Sequence, residues 1–267
     1  MKNKFVITFF LIVCSTMADA QSRDTSLKYN FSQFWSETGH YFTKPLHWES
    51  TDFLMIGSLA AGTAVAAALE NPVRDVIFSN RALYNSFPTK FGNFYGGLYT
   101  PFILFAGYGG YSLITDDKKA RKIAYELGQS LLYAAAITVT LKTIIGRARP
   151  LANEGKGSFH FFKGFFPDDA FPSGHVTEAM TMSTVLAFNT DDLIWKIIAY
   201  LPVPFTLFSR GYEGWHWVSD CVFAAGIGFF TAKWCADAHG RIDDAPQKTG
   251  SIEVKSLYPL TISIALN

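Results

Sequence analysis

FPSGHVTEAMTMSTVLAF, residues 171–188, is the stretch on which the reading of this chain turns. Pro172 and Gly174 punctuate the backbone, Ser173 is a favoured helix N-cap, and the apolar run after His175 has helix-compatible spacing. The segment therefore reads as a loop entering a helix, with a histidine at the entrance. A helix N-terminus presents unpaired backbone N–H groups and attracts anions. An imidazole placed there can hold an anion or pass it a proton. An ordinary surface histidine would be written with the same letters, so the rest of the chain has to supply partners.

The surrounding composition narrows the classes. The chain has 267 residues, 49% of them hydrophobic and 16% aromatic, and a net charge of +1. That charge gives no general attraction to nucleic acid, so none is expected as a partner. Three cysteines are too few for a disulfide framework. Cys221 and Cys235 fall in one predicted helix, ~21 Å apart at its rise per residue, and cannot bridge there. At the N-terminus Lys2 and Lys4 precede FVITFFLIV, and Ala18-Asp19-Ala20 fits a small-x-small cleavage site. Residues 1–20 therefore read as a signal peptide, and 21–50 as a short exported segment without periodicity.

Five or six apolar stretches follow, at about 53–69, 98–115, 123–146, 174–189, 193–208 and 216–238. Several approach the ~20 residues that span a bilayer. The expected fold is all-α, a multi-helix bundle over 51–240 with five or six membrane-associated helices. Residues 70–97 read as turn-rich, and DDKKARK (116–122) as a polar turn. In the tail, 241–267, Tyr258, Leu260, Ile262, Ile264 and Leu266 alternate with smaller residues, a strand-like period with no evident partner.

Two further segments answer the histidine. In KTIIGRARP, residues 142–150, Lys142 and Arg149 are seven apart, about two helical turns, so both can grip one phosphate-sized anion. Arg147 in the same segment reads as a membrane-flanking charge. In SRGYEGWHWVSD, residues 209–220, His216 and Asp220 are spaced i, i+4 and share a helical face, where a carboxylate behind an imidazole would fix its tautomer. Arg210 precedes them in a Gly-containing loop. Each segment sits at a helix end, and in an up-and-down bundle all three ends fall on one side.

The pattern K-x6-RP, then PSGH, then SR-x5-H-x3-D resembles the type 2 phosphatidic acid phosphatase superfamily. Lys142, Arg149 and Pro150, then Pro172 to His175, then Ser209, Arg210, His216 and Asp220 match every position of that signature. The resemblance implies a phosphohistidine mechanism. His216 would be the nucleophile, Asp220 its orienting carboxylate and His175 the proton carrier. Lys142, Arg149, Arg210, Ser173 and Gly174 would hold the phosphoryl oxygens. It implies no metal and no other cofactor, and His40, His47, His160 and His239 show no ligand spacing.

The substrate expected first is a phosphorylated lipid: a phosphatidic acid, phosphatidylglycerol phosphate, undecaprenyl diphosphate or lipid A. Phe159, Phe161, Phe162, Phe165 and Phe166 crowd between the first two motifs and suggest an interfacial loop. An exported non-specific acid phosphatase on soluble phosphomonoesters is the alternative. Vanadate-dependent haloperoxidase chemistry stands behind it. The expected location is a bacterial cell envelope, membrane-associated, with the active site on the periplasmic face; the positive turn at 116–122 stays inside. A cleaved signal peptide conflicts with six crossings, because residue 50 would then start outside. Oligomeric state is not legible.

Overall fold

The computed structural model describes residues 29–79, 82–164, 166–244, 256–257 and 260–261. Its helices are α1 (Phe31–Thr43), α2 (Ser50–Ala68), α3 (Glu70–Ser79), α4 (Phe87–Tyr95), α5 (Tyr99–Thr115), α6 (Lys118–Ile145), α7 (Gly174–Phe188), α8 (Leu193–Tyr200), α9 (Pro202–Tyr212) and α10 (Val218–Asp244). The fold is all-α and multi-helical. The signal peptide at 1–20 lies outside the described residues, and so do Tyr258, Ile262, Ile264 and Leu266 of the alternating tail.

Three boundaries differ from the sequence reading, each for a local reason. The turn at 116–122 contracts to Asp116 and Asp117. Asp116 takes a left-handed φ of 56°, and the Asp117 side chain accepts from the Ala120 N–H at 2.7 Å, so KKARK already belongs to α6. The apolar stretch at 193–208 breaks into α8 and α9 because Pro202 has no N–H to continue the first helix and suits the opening of the second. Residues 70–97 form α3 and α4 rather than loop. α4 is short, and it is held by close contact: a Cβ on Gly92 would lie 2.0 Å from the Phe205 carbonyl oxygen, and one on Gly96 2.7 Å from that of His175. This approach fixes α4 against α9 and against the start of α7.

α1 lies inside the segment read as lacking periodicity, yet it is amphipathic: Phe34 and Tyr41 face the core and polar contacts join them. Asn30 caps it by accepting from the Gln33 N–H at 2.9 Å. Buried Glu37 accepts from the Tyr125 hydroxyl at 3.0 Å and from the Gln129 amide at 2.7 Å, both on α6. Tyr41 and Thr231 hydroxyls pair at 2.7 Å. Phe34, Tyr125, Tyr133 and Cys235 close the apolar part of this contact.

The main core lies between α6, α7 and α10, where Ile123, Leu127, Leu131, Met182, Val185 and Ala232 pack together. α10 crosses close to α7 at Gly228, whose Cβ would stand 2.6 Å from the Thr177 carbonyl. Outside this core several helices expose apolar faces. Of α2 only Ala66 is buried, and at ~1.5 Å per residue its 19 residues reach ~28 Å, against a hydrocarbon core of ~30 Å. α6 is the second described helix long and apolar enough to cross a bilayer. α8 adds exposed Leu193, Ile194, Trp195 and Ile197. An apolar exterior of this extent belongs in lipid, and the protein is membrane-associated.

From Asp237 the chain forms a separate unit. It holds the last turns of α10 and an antiparallel pairing of Ser256–Leu257 with Leu260–Thr261. The strand-like tail thus pairs locally with itself over two residues per strand.

Candidate active site

Three chain crossings build the site: the end of α6, the entrance of α7, and the connection from α9 to α10. α6 ends at Gly146, which takes φ 56° and lies so near the following loop that a Cβ would sit 1.8 Å from the His160 carbonyl oxygen. Only glycine fits there. The turn brings Arg149 back beside Lys142, where both meet Asp169. The α7 entrance is tied to α10 by the Ser173 N–H, which donates to the Asp220 carbonyl at 3.2 Å.

His216 sits at the centre and is buried. Its Nδ1 lies 2.6 Å from the Ala170 carbonyl oxygen. A carbonyl can only accept, so Nδ1 carries the proton and Nε2 keeps its lone pair. Burial holds the imidazole's pKa well below its usual value, and the charges of Lys142, Arg149 and Arg210 push the same way, opposed only by the Ala170 bond. The ring is therefore neutral at ordinary pH, among the three cations the motifs supplied.

Asp220 is not where the i, i+4 spacing suggests. Its Oδ2 stands 4.0 Å from Nδ1 of His216, beyond hydrogen-bond range, and accepts instead from the Trp217 N–H at 2.7 Å. Its Oδ1 receives Arg147 Nη1 at 2.5 Å. The Ala170 carbonyl takes the orienting place, because the residues before PSGH fold across the imidazole.

The cations are positioned by groups that sequence gave no reason to single out. Asp169 receives Arg149 Nε at 2.7 Å and Nη2 at 2.9 Å, while its backbone carbonyl accepts from Lys142 Nζ. Burial alone would raise the Asp169 carboxyl; the Arg149 bonds and the Lys142 charge outweigh it and hold the pKa below the usual carboxylate value. Arg210 is not in a loop but in the last turn of α9, where Nη1 donates to the Asn93 side chain and lies 3.4 Å from Glu213. Its buried Nε has no hydrogen-bond partner. The Trp215 ring lies under both Arg149 and Arg210, at 4.9 and 5.6 Å.

Ser173 occupies the N-cap position of α7 but makes no capping bond. Its buried hydroxyl finds no well-formed partner, with the Cys221 thiol within reach. A Cβ on Gly174 would meet no protein atom, so packing does not demand glycine there. His175 is half-buried in the first turn of α7.

Arg147 corrects another reading. It is no membrane-flanking charge: it is buried, and it donates to Asp220, to Ser219 Oγ at 2.8 Å and to both oxygens of Glu70 at 3.1 and 2.9 Å. His160 is likewise not solitary, since the loop sets it beside Glu154 and Asp168. Phe159, Phe161, Phe162 and Phe166 are exposed; Phe165 lies outside the described residues.

The profile of the PAP2 superfamily matches residues 124–243, which include all three motifs. Over this stretch the chain is similar to the PAP2 superfamily. Two solved structures are similar to this chain. The crystal structure of Aquifex aeolicus LpxE shares 23% identity over 63% of this chain and 95% of its own, with a TM-score of 0.49. That of the first transmembrane PAP2 type phosphatidylglycerolphosphate phosphatase from Bacillus subtilis shares 17% identity over 71% of this chain and 98% of its own, with a TM-score of 0.49. No curated protein matches the chain. Within this site the motif residues stand together, and their supports (Asp169, Ala170, Asn93, Glu213, Glu70 and Arg147) come from outside the signature.

Proposed function

We propose that this protein removes phosphate from a phosphorylated lipid, either a monoester or a diphosphate, on the periplasmic face of a bacterial envelope membrane, with residues 1–20 as its export signal. The supporting observation is the neutral His216, its Nδ1 tied to the Ala170 carbonyl and its Nε2 left as nucleophile among Lys142, Arg149 and Arg210. In the proposed reaction Nε2 attacks phosphorus in line as the bond to the leaving oxygen breaks, and His175 delivers a proton to that oxygen. Water, deprotonated by His175, then cleaves the P–N bond and restores both histidines. The three cations neutralise charge on the phosphoryl oxygens, joined by the Ser173 hydroxyl and the N–H groups that open α7. Asp220 acts indirectly, by fixing Arg147 and the first turn of α10.

A lipid substrate is favoured over a soluble ester by what surrounds the cradle. Phe161 and Phe162 are 64% and 74% exposed on the loop that carries Asp169, next to Phe166, which stacks under Arg149 at 5.3 Å. Exposed phenylalanines of this kind can bury at the boundary between headgroups and acyl chains. The test is phosphate release by the detergent-solubilised protein, with EDTA present. The substrates are phosphatidic acid, phosphatidylglycerol phosphate, undecaprenyl diphosphate, lipid A and p-nitrophenyl phosphate. Selective release from one of the lipids is the expected result. Preference for p-nitrophenyl phosphate would move the protein to the acid phosphatase alternative.

Asp169 supplies a sharper prediction. It grips Arg149 through Nε and Nη2, which leaves the Nη1 edge for a phosphate. Asp169→Asn keeps the shape but weakens two charge-assisted bonds, so KM is expected to rise about tenfold with a smaller change in kcat. Steady-state kinetics check this; an unchanged KM would show that Arg149 does not depend on Asp169.

A further inference from the structure

We infer that the loop between α6 and α7 carries a site for a divalent cation of the zinc type, with Glu154, His160 and Asp168 as its ligands. His160 Nε2 lies 2.8 Å from Glu154 Oε2 and 3.8 Å from Asp168 Oδ1, and all three ligand atoms fall within 4.8 Å of one another. In a tetrahedral zinc site with bonds of ~2.0–2.2 Å, ligand atoms stand ~3.3 Å apart. Shifts of about an ångström in side chains would therefore complete the set, with water in the fourth position.

The second observation is Asp168 Oδ1 itself. This oxygen is shut off from solvent, although the side chain as a whole is 20% exposed, and no hydrogen-bond donor reaches it. A buried carboxylate oxygen without a donor is costly to leave unmet, and a cation between it and His160 would satisfy it. Two carboxylates and a neutral imidazole also balance a charge of two. The nitrogen donor argues against calcium and magnesium, which take oxygen ligands, and for zinc, which takes mixed nitrogen and oxygen sets.

The loop holds these ligands on a framework. The His160 N–H donates to the Gly146 carbonyl at 2.7 Å, the Ala148 N–H to Ser158 at 3.0 Å, and the Phe162 N–H to Ile144 at 3.0 Å, so the His160 backbone is laced to the end of α6. Ser158 Oγ donates to Glu154 Oε2 at 2.8 Å and orients that carboxylate, the supporting contact that metal ligands usually have. Asp168 directly precedes Asp169, which grips Arg149. A cation here would staple the loop beside the phosphate cradle without entering it, and it takes no part in the proposed chemistry.

The test is calorimetric titration of the full-length protein in detergent, any affinity tag removed, with zinc chloride and with magnesium chloride as the control. One equivalent of zinc is expected to bind at micromolar or lower concentration, and magnesium not to compete. Glu154→Gln, His160→Ala and Asp168→Asn should each weaken zinc at least tenfold, while His216→Ala leaves it unchanged. Zinc should raise Tm in the parent but not in Glu154→Gln, a surface substitution that the fold tolerates. No zinc binding by the parent at micromolar concentration would overturn the inference. So would equal binding by Glu154→Gln and Asp168→Asn, or loss of binding on His216→Ala.

Discussion

Arg147→Met is expected to destabilise the protein by about 3–5 kcal/mol, the usual cost of leaving a buried charge without its partner. Arg147 is 5% exposed and stands between Glu70 at 1% and Asp220 at 0%. Its Nη2 reaches the first and its Nη1 the second, and Ser219 Oγ bridges toward Glu70 at 2.5 Å. Without the guanidinium, two buried carboxylates face each other and Ser219 cannot serve both. Arg147→Lys should recover little, because one ammonium cannot reproduce the planar fork that spans both acids. Adding Glu70→Gln to Arg147→Met should cost less than the two single changes summed, since the neutral amide removes one of the orphaned charges. Thermal and denaturant unfolding in detergent measure the four variants against the parent. A loss under about 1 kcal/mol for Arg147→Met would show that the buried network does not hold α3, the end of α6 and the start of α10 together.

The same network shows where sequence reading stops. Lys142, Arg149, His175, Arg210 and His216 were legible because they lie in short motifs at helix ends, and bundle topology brings such ends together. Arg147 sits in the same nine residues as Lys142 and Arg149, yet the side chain that explains it, Glu70, is 77 positions away in a segment with no periodic signal. The Ala170 carbonyl that orients His216 was out of reach for another reason: a backbone acceptor leaves no mark on residue type. Asp220 misled through its spacing. The i, i+4 rule puts two residues on one face of a helix, but α10 begins at Val218, so His216 lies before the helix and the rule does not govern it. Likewise α1 and α4 are short amphipathic helices interrupted by polar and glycine residues, and their buried polar contacts and glycine approaches lie with partners far along the chain, so neither stands out in the sequence. The long apolar stretches, by contrast, carried the all-α fold, because burial in a bundle or in lipid selects composition directly.

His216→Ala is expected to reduce phosphate release by about four orders of magnitude or more, the loss typical of removing a covalent nucleophile. The fold should survive, since the change deletes one buried ring and leaves the Asp220–Arg147 pair intact. Parent protein quenched in alkali during turnover should carry labelled phosphate, and the variant none. His175→Ala should behave differently. It keeps the nucleophile but loses the proton donor, so it should lose about 10²–10⁴-fold on a lipid ester, whose alkoxide needs the proton. On p-nitrophenyl phosphate, whose leaving group departs unprotonated, the loss should be smaller. The pH profile gives the sign of the electrostatics. The reactive form is neutral His216, and burial with three nearby cations holds its pKa well below 6.5, so kcat/KM should stay flat as pH falls through that value and decline only far below it. Replacing one cation, as in Arg149→Gln, removes a charge that disfavours the imidazolium. The decline should then move to higher pH even as affinity drops. An acid limb at or above 6.5 in the parent, or one that Arg149→Gln leaves in place, would mean that a group other than His216 governs attack on phosphorus.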